Sequence, residues 1–313
     1  MTYASVIAAD APVAWWKLNE TSGTSAADAG SGTANNGTIT GDPTLGIPGI
    51  DGLDSGGGTC YLLDGNGDYI TCGTLAAKLQ FAVGASFSIE AWVQIPQSVL
   101  DAGATYAGAS LVTEAYAGDG NVRYMLGFYD GSAPTLTPSF GWYNGAWRLK
   151  QASAAVSTEV WHHLVGTFNG TVLELFVDGT SQGTTTPGGT QPGGTETLYL
   201  GKRWDTGSGQ YLHAYLDMVA IYSVALTGTQ VSAHYAAFNP SKAPARATAA
   251  IAEFPVKDTT PQLRATTAIL EYPVKDTTAQ LRATLAYVEI VVERDYAFWG
   301  MGSVEGDTGF SEP

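Results

Sequence analysis

The chain has 313 residues, with 14 Lys and Arg against 29 Asp and Glu, so its formal net charge is −15. This acidic excess argues against nucleic-acid binding and against attraction to anionic lipid, because both ligands repel a negative surface. Only 14% of residues are charged while 11% are aromatic, which excludes a solvated disordered chain and favours packed β-structure. The 39 glycines follow no G-X-Y period and indicate many tight turns between short strands.

The first ten residues, Met1 to Asp10, contain no basic residue and no long apolar run. We therefore expect no signal peptide. No stretch approaches the roughly 18 uninterrupted apolar residues that a membrane helix needs, so we expect a soluble protein without membrane insertion. Such a protein would leave a cell by another route, such as lysis.

The two cysteines, Cys60 and Cys72, are too few for a disulfide-rich scaffold or a four-thiolate zinc site. Residues 60–72 predict a strand, a Gly-Asn-Gly turn centred on Asn66 and a second strand. In such a hairpin the two cysteines would face each other, which predicts a cross-strand disulfide formed in an oxidising medium. Two buried free thiols are the alternative.

Short strands dominate the first three quarters of the chain. Residues 86–93 and 172–177 alternate with period two, as half-buried strands do. Turn pairs such as Asn144-Gly145, Asn169-Gly170 and Asp178-Gly179 separate such runs. A helix is predicted only at 229–238, ended by Asn239-Pro240. The pattern predicts an all-β protein built as a two-sheet sandwich or jelly roll.

A direct repeat of 18 residues occupies much of the C-terminal quarter. Arg-Ala-Thr recurs at Arg246, Arg264 and Arg282, which defines the repeats 246–263, 264–281 and 282–299. Each repeat predicts one strand followed by a turn, and two or three such strands are marginal alone in water. We therefore divide the chain into a sandwich at 1–240 and a C-terminal segment at 241–313 that docks on a partner or forms homo-oligomers; a self-sufficient small domain is the alternative.

Six segments of the sandwich carry motifs that resemble a known family. They lie at 12–20, 63–70, 87–93, 161–168, 173–179 and 216–226, in the family's order, and together they cover about residues 10–238. They resemble the laminin-G-like, concanavalin A-like jelly-roll family. The resemblance implies two antiparallel sheets packed face to face, often with a calcium ion and often with glycan-binding ability. The leader at 3–10 is also similar to the start of such domains in minor tail proteins of tailed bacteriophages.

A calcium site is expected in the turn that contains Asp64, Asn66 and Asp68. Oxygen-bearing side chains at alternate positions of a tight turn suit a hard cation. The family resemblance adds Asp217 as a further acidic position near this turn. The alternative is that the aspartates only accept hydrogen bonds from backbone amides of the turn.

Glycan binding would need exposed aromatic rings beside polar groups. The candidates are Trp142, Tyr143 and Trp147, around the turn at Asn144-Gly145, and Trp204 in a second predicted turn. Cross-strand packing of these large rings is the alternative. We expect Trp92 and Trp161, which lie within strong strand patterns, to be core residues.

No catalytic residue is predicted. The nearest carboxylate pair for glycoside hydrolysis, Glu174 and Asp178, is better explained as a strand end and a turn. His162 and His163 lie in a strand, and neither a nucleophile elbow nor an H-E-x-x-H motif is identified. A non-enzymatic protein is therefore expected.

The sequence favours a structural and adhesive function in a virion. We expect a phage minor tail or fibre component, assembled in the host cytoplasm and extracellular after lysis. Its jelly roll would contact host surface glycans, and residues 241–313 would contact other tail or virion proteins. A secreted bacterial carbohydrate-binding or adhesion module is the second hypothesis. A glycan-degrading enzyme, with acidic residues assembled from distant strands, is the third.

Overall fold

The structure is a computed structural model. It describes residues 2–50, 58–74, 77–101, 110–115, 121–128, 136–193, 197–203 and 211–238. Contacts divide the chain into two units, Met1–Pro244 and Ala245–Pro313. The three predicted repeats, with the docking or oligomerisation assigned to 241–313, lie outside the described residues.

The described residues form three α-helices, one 3-10 helix at Ala77–Leu79, and strands in between. The α-helices are α1 (Tyr3–Ala9), α2 (Gln97–Asp101) and α3 (Gly228–Ala237). The strands are β1 (Ala14–Trp16), β2 (Ser25–Ala26), β3 (Gly37–Thr40), β4 (Thr44–Pro48), β5 (Thr59–Asp64), β6 (Tyr69–Thr74), β7 (Phe87–Gln94), β8 (Ser110–Ala115), β9 (Val122–Phe128), β10 (Pro138–Tyr143), β11 (Trp147–Gln151), β12 (Trp161–Phe168), β13 (Leu173–Val177), β14 (Thr180–Thr185), β15 (Thr197–Leu200) and β16 (His213–Tyr222).

The strands form two antiparallel sheets. Sheet A has the order β14-β13-β12-β7-β16-β5-β4, with β1 also paired to β16. Sheet B has the order β11-β10-β9-β8-β15-β6-β3-β2. The predicted two-sheet jelly-roll sandwich is confirmed. Apolar side chains that alternate along each strand meet between the sheets, as Leu198 and Leu200 of β15 do, and they form the main core.

Sheet A is covered on its outer face as well. All eight residues of β7 are buried, because α1 and α3 pack on the face turned away from sheet B. This second apolar cluster includes Ile7 of α1, Trp92 of β7 and Val231 of α3. The strand that alternation predicted to be half-buried is therefore buried on both faces.

Helix α3 confirms the helix predicted at 229–238. It begins after Thr227, whose side chain forms a capping box with Gln230. Helix α1 was not predicted, because seven residues are too few to show a helical period. Thr2 caps it, and Tyr3 and Ile7, four residues apart, are buried on the same face. Among the described helices, none has the length and apolar character to span a membrane.

The predicted hairpin at 60–72 is wrong. Cys60 lies on β5 in sheet A and Cys72 on β6 in sheet B, so the turn between them joins the two sheets and not neighbours within one sheet. Both cysteines are buried thiols that form no disulfide. The expected cross-strand disulfide is therefore absent, and the alternative of buried thiols describes the pair.

Candidate functional site

An acidic group forms where two loops meet at one end of the sandwich. Asp42 lies between β3 and β4, and Asp64 and Asp68 flank the turn between β5 and β6. One carboxylate oxygen from each of the three lies within 4.8 Å of the others. Asp42 and Asp64 are exposed, whereas Asp68 is buried.

Backbone N–H groups hold the carboxylate of Asp68 in place. Its Oδ1 accepts from the N–H of Asp42 at 2.9 Å, and its Oδ2 accepts from that of Asp64 at 3.1 Å. Burial raises the pKa of Asp68 and the nearby charge of Asp64 adds to the rise, against the opposing effect of these hydrogen bonds. Gly41 permits the close approach, since a Cβ there would lie 2.2 Å from Asp68 Oδ1.

The predicted metal set is brought together only in part. The backbone N–H of Asn66 donates to Asp64 Oδ1 at 2.7 Å, so the turn makes the hydrogen bonds expected of aspartates without a metal. Asp217 is buried on β16 and does not join this group. Asp64 pairs with His213, and Asp217 lies four residues further along the strand, which corresponds to about 13 Å. The third carboxylate of the group is therefore that of Asp42. Three carboxylates with oxygen donors fit a hard cation such as calcium.

An aromatic cluster lies beside the acidic group. Tyr69 follows Asp68 directly, and its ring centroid lies 5.9 Å from those of Tyr199 and Tyr211. The ammonium of Lys202 lies 4.4 Å from the centroid of Tyr69 and 4.9 Å from that of Tyr199. All four side chains are partly exposed. We call these four residues the tyrosine platform.

The sequence offered one signal for this platform, the position of Tyr69 next to a predicted metal ligand. Tyr199 and Lys202 come close to Tyr69 only through the order of strands in sheet B, where β15 pairs with β6. Gly201 allows this approach, since a Cβ there would lie 2.3 Å from Leu63 Cδ1. Strand order cannot be deduced from local pattern, and the tyrosine platform was therefore missed.

The four predicted glycan-binding residues have different environments. Trp142 is fully buried in the core, 5.0 Å between ring centroids from Phe168, so its assignment to an exposed binding surface is wrong. Tyr143 and Trp147 pair across the hairpin of β10 and β11, with centroids 5.2 Å apart, and both are partly exposed. Trp204 lies outside the described residues.

The histidine pair divides between two environments. His163 Nε2 donates to buried Glu90 at 2.6 Å. His162 contacts the Oγ of Ser157 through Nε2 at 3.0 Å and the Oδ2 of Asp178 through Nδ1 at 2.8 Å. Glu174 accepts from Ser181 instead of facing Asp178. The structure thus gives Glu174 and Asp178 separate partners.

Glu90 is the centre of a buried polar cluster that pattern analysis did not find. Its carboxylate accepts four hydrogen bonds, from Tyr3 at 2.5 Å, His163 at 2.6 Å, Tyr222 at 2.9 Å and His234 at 2.9 Å. Burial alone would raise the pKa of Glu90, but His234 and His163 lower it well below its usual range. The cluster joins α1 and α3 to sheet A. Because these five side chains are fully buried, the cluster has a structural role in the fold.

Known proteins share this fold at low sequence identity. The binding domain of Paraclostridial Mosquitocidal Protein 1 is 15% identical with a TM-score of 0.53, over 72% of this chain and 52% of that one. The botulinum neurotoxin serotype D binding domain is 13% identical with a TM-score of 0.52, over 74% and 52%. Trypanosoma rangeli sialidase, solved with sialic acid, is 14% identical with a TM-score of 0.51, over 72% and 32%.

This chain thus spans about half of those toxin binding domains and about a third of the sialidase, and at these identities the likeness shows the fold alone. No curated protein matches the chain. The Laminin_G_3 model, described as the concanavalin A-like lectin/glucanases superfamily, matches residues 64–232, more than half of the sequence. The chain therefore belongs to the concanavalin A-like lectin/glucanases superfamily.

Proposed function

We propose that the jelly roll binds a glycan at the tyrosine platform. The observation that carries this proposal is the cluster of three partly exposed tyrosine rings around one ammonium group. Aromatic faces take up the apolar C–H face of a sugar ring, and hydroxyl and ammonium groups provide polar contacts that fix its orientation. Membership of the concanavalin A-like lectin/glucanases superfamily and the named binding domains among its structural neighbours support this function.

A calcium ion at Asp42, Asp64 and Asp68 would belong to the same site. The donor set fits calcium, and a bound ion would offset the three negative charges beside the tyrosine platform. The two N–H groups on Asp68 hold its carboxylate for this role. In this assignment the three carboxylates would hold the ion, and the ion would supply positive charge beside the tyrosine platform.

We place this activity in a phage minor tail or fibre component that contacts host surface glycans. The leader at 3–10 and the 18-residue repeats, both read from the sequence, support this setting. A secreted bacterial adhesion module is the alternative, and immunogold labelling of intact virions separates the two. A glycan-degrading enzyme could use the acidic group, but two backbone N–H groups already engage Asp68, which favours a positioning role.

A glycan array tests the binding function. We expect Tyr69→Ala and Tyr211→Ala to lose about tenfold in affinity, because each removes one stacking surface. Tyr143→Ala and Trp147→Ala are matched controls, since they remove partly exposed rings from the hairpin of β10 and β11, which β9 and β8 separate from β15. Retained binding in both platform variants would refute the platform, and loss only in the hairpin controls would move the site to Tyr143 and Trp147.

A further inference from the structure

Ser157, His162 and Asp178 form a hydrogen-bonded chain of the kind that activates a serine nucleophile. Ser157 Oγ lies 3.0 Å from His162 Nε2, and His162 Nδ1 lies 2.8 Å from Asp178 Oδ2. Ser157 is exposed, whereas His162 is only 8% exposed. A serine, a base and a carboxylate that orients the base are recognised by this geometry and not by their order in the sequence.

The carboxylate and the imidazole are held by the fold. Asp178 Oδ1 accepts from the backbone N–H of His163 at 2.8 Å, and the Asp178 N–H donates to the His163 carbonyl at 2.8 Å. Asp178 therefore presents Oδ2 to the ring while β12 and β13 fix its backbone. A carboxylate bonded at Nδ1 directs the lone pair at Nε2 toward Ser157, as a general base requires.

The loop that carries Ser157 is fixed on both sides. The N–H of Val156 donates to Leu136 O at 2.9 Å, and that of Glu159 donates to Ile95 O at 2.8 Å. The side chain of Gln94 donates to Glu159 O at 2.7 Å. Glu159 also has a φ of 61°, a left-handed conformation that costs energy for a residue with a Cβ. Strain kept by several hydrogen bonds is typical of functional loops.

Donors for an oxyanion are present at the nucleophile. Within the described part of the chain, the backbone N–H groups of Ser157 and Thr158 donate to no protein acceptor. The N–H of the nucleophile or of the residue after it is a common donor to the tetrahedral intermediate of acyl transfer. The loop thus contains the nucleophile and two free donors, and the base lies next to it on β12.

The chain Ser157–His162–Asp178 lies at the same end of the sandwich as the tyrosine platform. Trp161, next to His162, pairs with Gln94, which pairs with Tyr215 on β16. Two residues before Tyr215, His213 pairs with Asp64 of the acidic group. Three strand spacings, roughly 14 Å, separate β12 from β5. His162 and Asp64 of the acidic group therefore lie at the same end of sheet A.

We propose that Ser157 is the nucleophile of a carboxylic-ester hydrolase site whose substrates are O-acyl groups on a glycan. Ser157 Oγ attacks the ester carbonyl while His162 Nε2 takes its proton, and the oxyanion forms beside the Ser157 and Thr158 N–H groups. Collapse breaks the bond to the sugar oxygen, which leaves with the proton from His162. Water then attacks the acyl-serine, His162 again transfers the proton, and the free acid leaves. The choice of a glycan ester rests on the proposed function; the reactivity of Ser157 does not.

Labelling of the full chain with a fluorophosphonate tests the nucleophile. We expect one adduct per chain, located at Ser157 by peptide mass spectrometry and absent from Ser157→Ala. Ser181→Ala is the matched control: Ser181 is also an exposed serine, but its hydroxyl donates to Glu174 and contacts no histidine. It should be labelled like the wild type. An unlabelled wild type, or label that persists in Ser157→Ala, would overturn the proposal.

Kinetics with p-nitrophenyl acetate test the base and its positioning residue. We expect a burst of one equivalent of nitrophenol, at least about 100-fold slower turnover in His162→Gln, and lower kcat with unchanged KM in Asp178→Asn. Equal rates in His162→Gln would overturn the general-base role.

Acetate release from acetylated xylan tests whether the substrate is a glycan ester. If the protein hydrolyses p-nitrophenyl acetate but releases no acetate from the xylan, the glycan-ester assignment is overturned and the nucleophile is not. Ser157→Ala should keep glycan binding, so the two functions fail separately.

Discussion

The imidazole of His234 lies against the carboxylate of Glu90, with Nδ1 2.9 Å from Oε2, and neither side chain is exposed. The other ring nitrogen of His234 lies 2.7 Å from Asp10 Oδ2. Since both nitrogens face carboxylate oxygens, both donate and the ring carries a positive charge. One charged ring thus forms two ion pairs, which connect α3 with β7 on one side and with the end of α1 on the other.

We expect Glu90→Gln to lower the free energy of unfolding by about 3–5 kcal/mol, because it removes the buried one of the two carboxylates that neutralise His234. Urea denaturation followed by tryptophan fluorescence measures this change. Glu174→Gln is the matched control, since Glu174 is partly exposed and should change stability by about 0.5 kcal/mol or less. Equal stability of the two variants would contradict the structural role of the Glu90 cluster.

The stability of the protein should depend on pH through His234. Burial alone would lower the pKa of His234, but the charge of Glu90 and hydrogen bonds to Glu90 and Asp10 outweigh it and raise the pKa. This contribution is therefore complete below the ordinary histidine value of about 6.5 and is lost as pH rises through the raised pKa. The Tm difference between wild type and His234→Gln should be largest near pH 6 and shrink toward pH 9. A constant difference would contradict this ionisation.

Calcium should stabilise the jelly roll if the acidic group binds it. A ligand at about 100 times its Kd adds about 2.7 kcal/mol, which for a unit of this size raises Tm by several degrees. We expect the shift in wild type and in Glu174→Gln but not in Asp42→Asn, whose exposed carboxylate completes the group. Differential scanning fluorimetry with calcium and then chelator measures it. The same Tm in both conditions for wild type would refute the site.

Trp142 and Trp147 should differ sharply when each is replaced by Ala. Trp142 is fully buried, so Trp142→Ala should cost about 3–5 kcal/mol of stability. Trp147 is partly exposed, and its replacement should cost about 1 kcal/mol or less. Urea midpoints of the two variants report the difference. Similar midpoints would contradict the orientation of β10 and β11 described above.

The cysteines should behave as two protected thiols. Burial raises the pKa of Cys72 well above its usual range, with a smaller effect from Asp28, so its reactive thiolate is scarce. We expect iodoacetamide to modify neither Cys60 nor Cys72 in the native protein and both after unfolding without reductant. Mass spectrometry counts the adducts. A protein with no modifiable thiol after unfolding would show a disulfide and contradict the strand arrangement.

Local pattern predicted much of the fold. Alternation identified strands such as β7 and β13, and Asn239-Pro240 predicted the end of α3, which the structure places at Ala237. The predicted pairing of β5 with β6 was wrong because the sequence of a tight turn is the same whether the turn joins neighbours in one sheet or connects two sheets. The burial of Trp142 was missed for a related reason: its hairpin has one face in the core, and the turn alone does not show which face.

The acidic, glycine-rich and aromatic sequence determined by itself that this chain is a β-sandwich of short strands, because period-two alternation and turn residues act over a few neighbouring positions. Only the tertiary structure decided which side chains meet. Asp42 joined Asp64 and Asp68, Tyr199 and Tyr211 joined Tyr69, and Ser157 met His162 and Asp178. These contacts depend on strand order and register across two sheets, which arise from packing of the whole core and leave no mark on any local stretch of sequence.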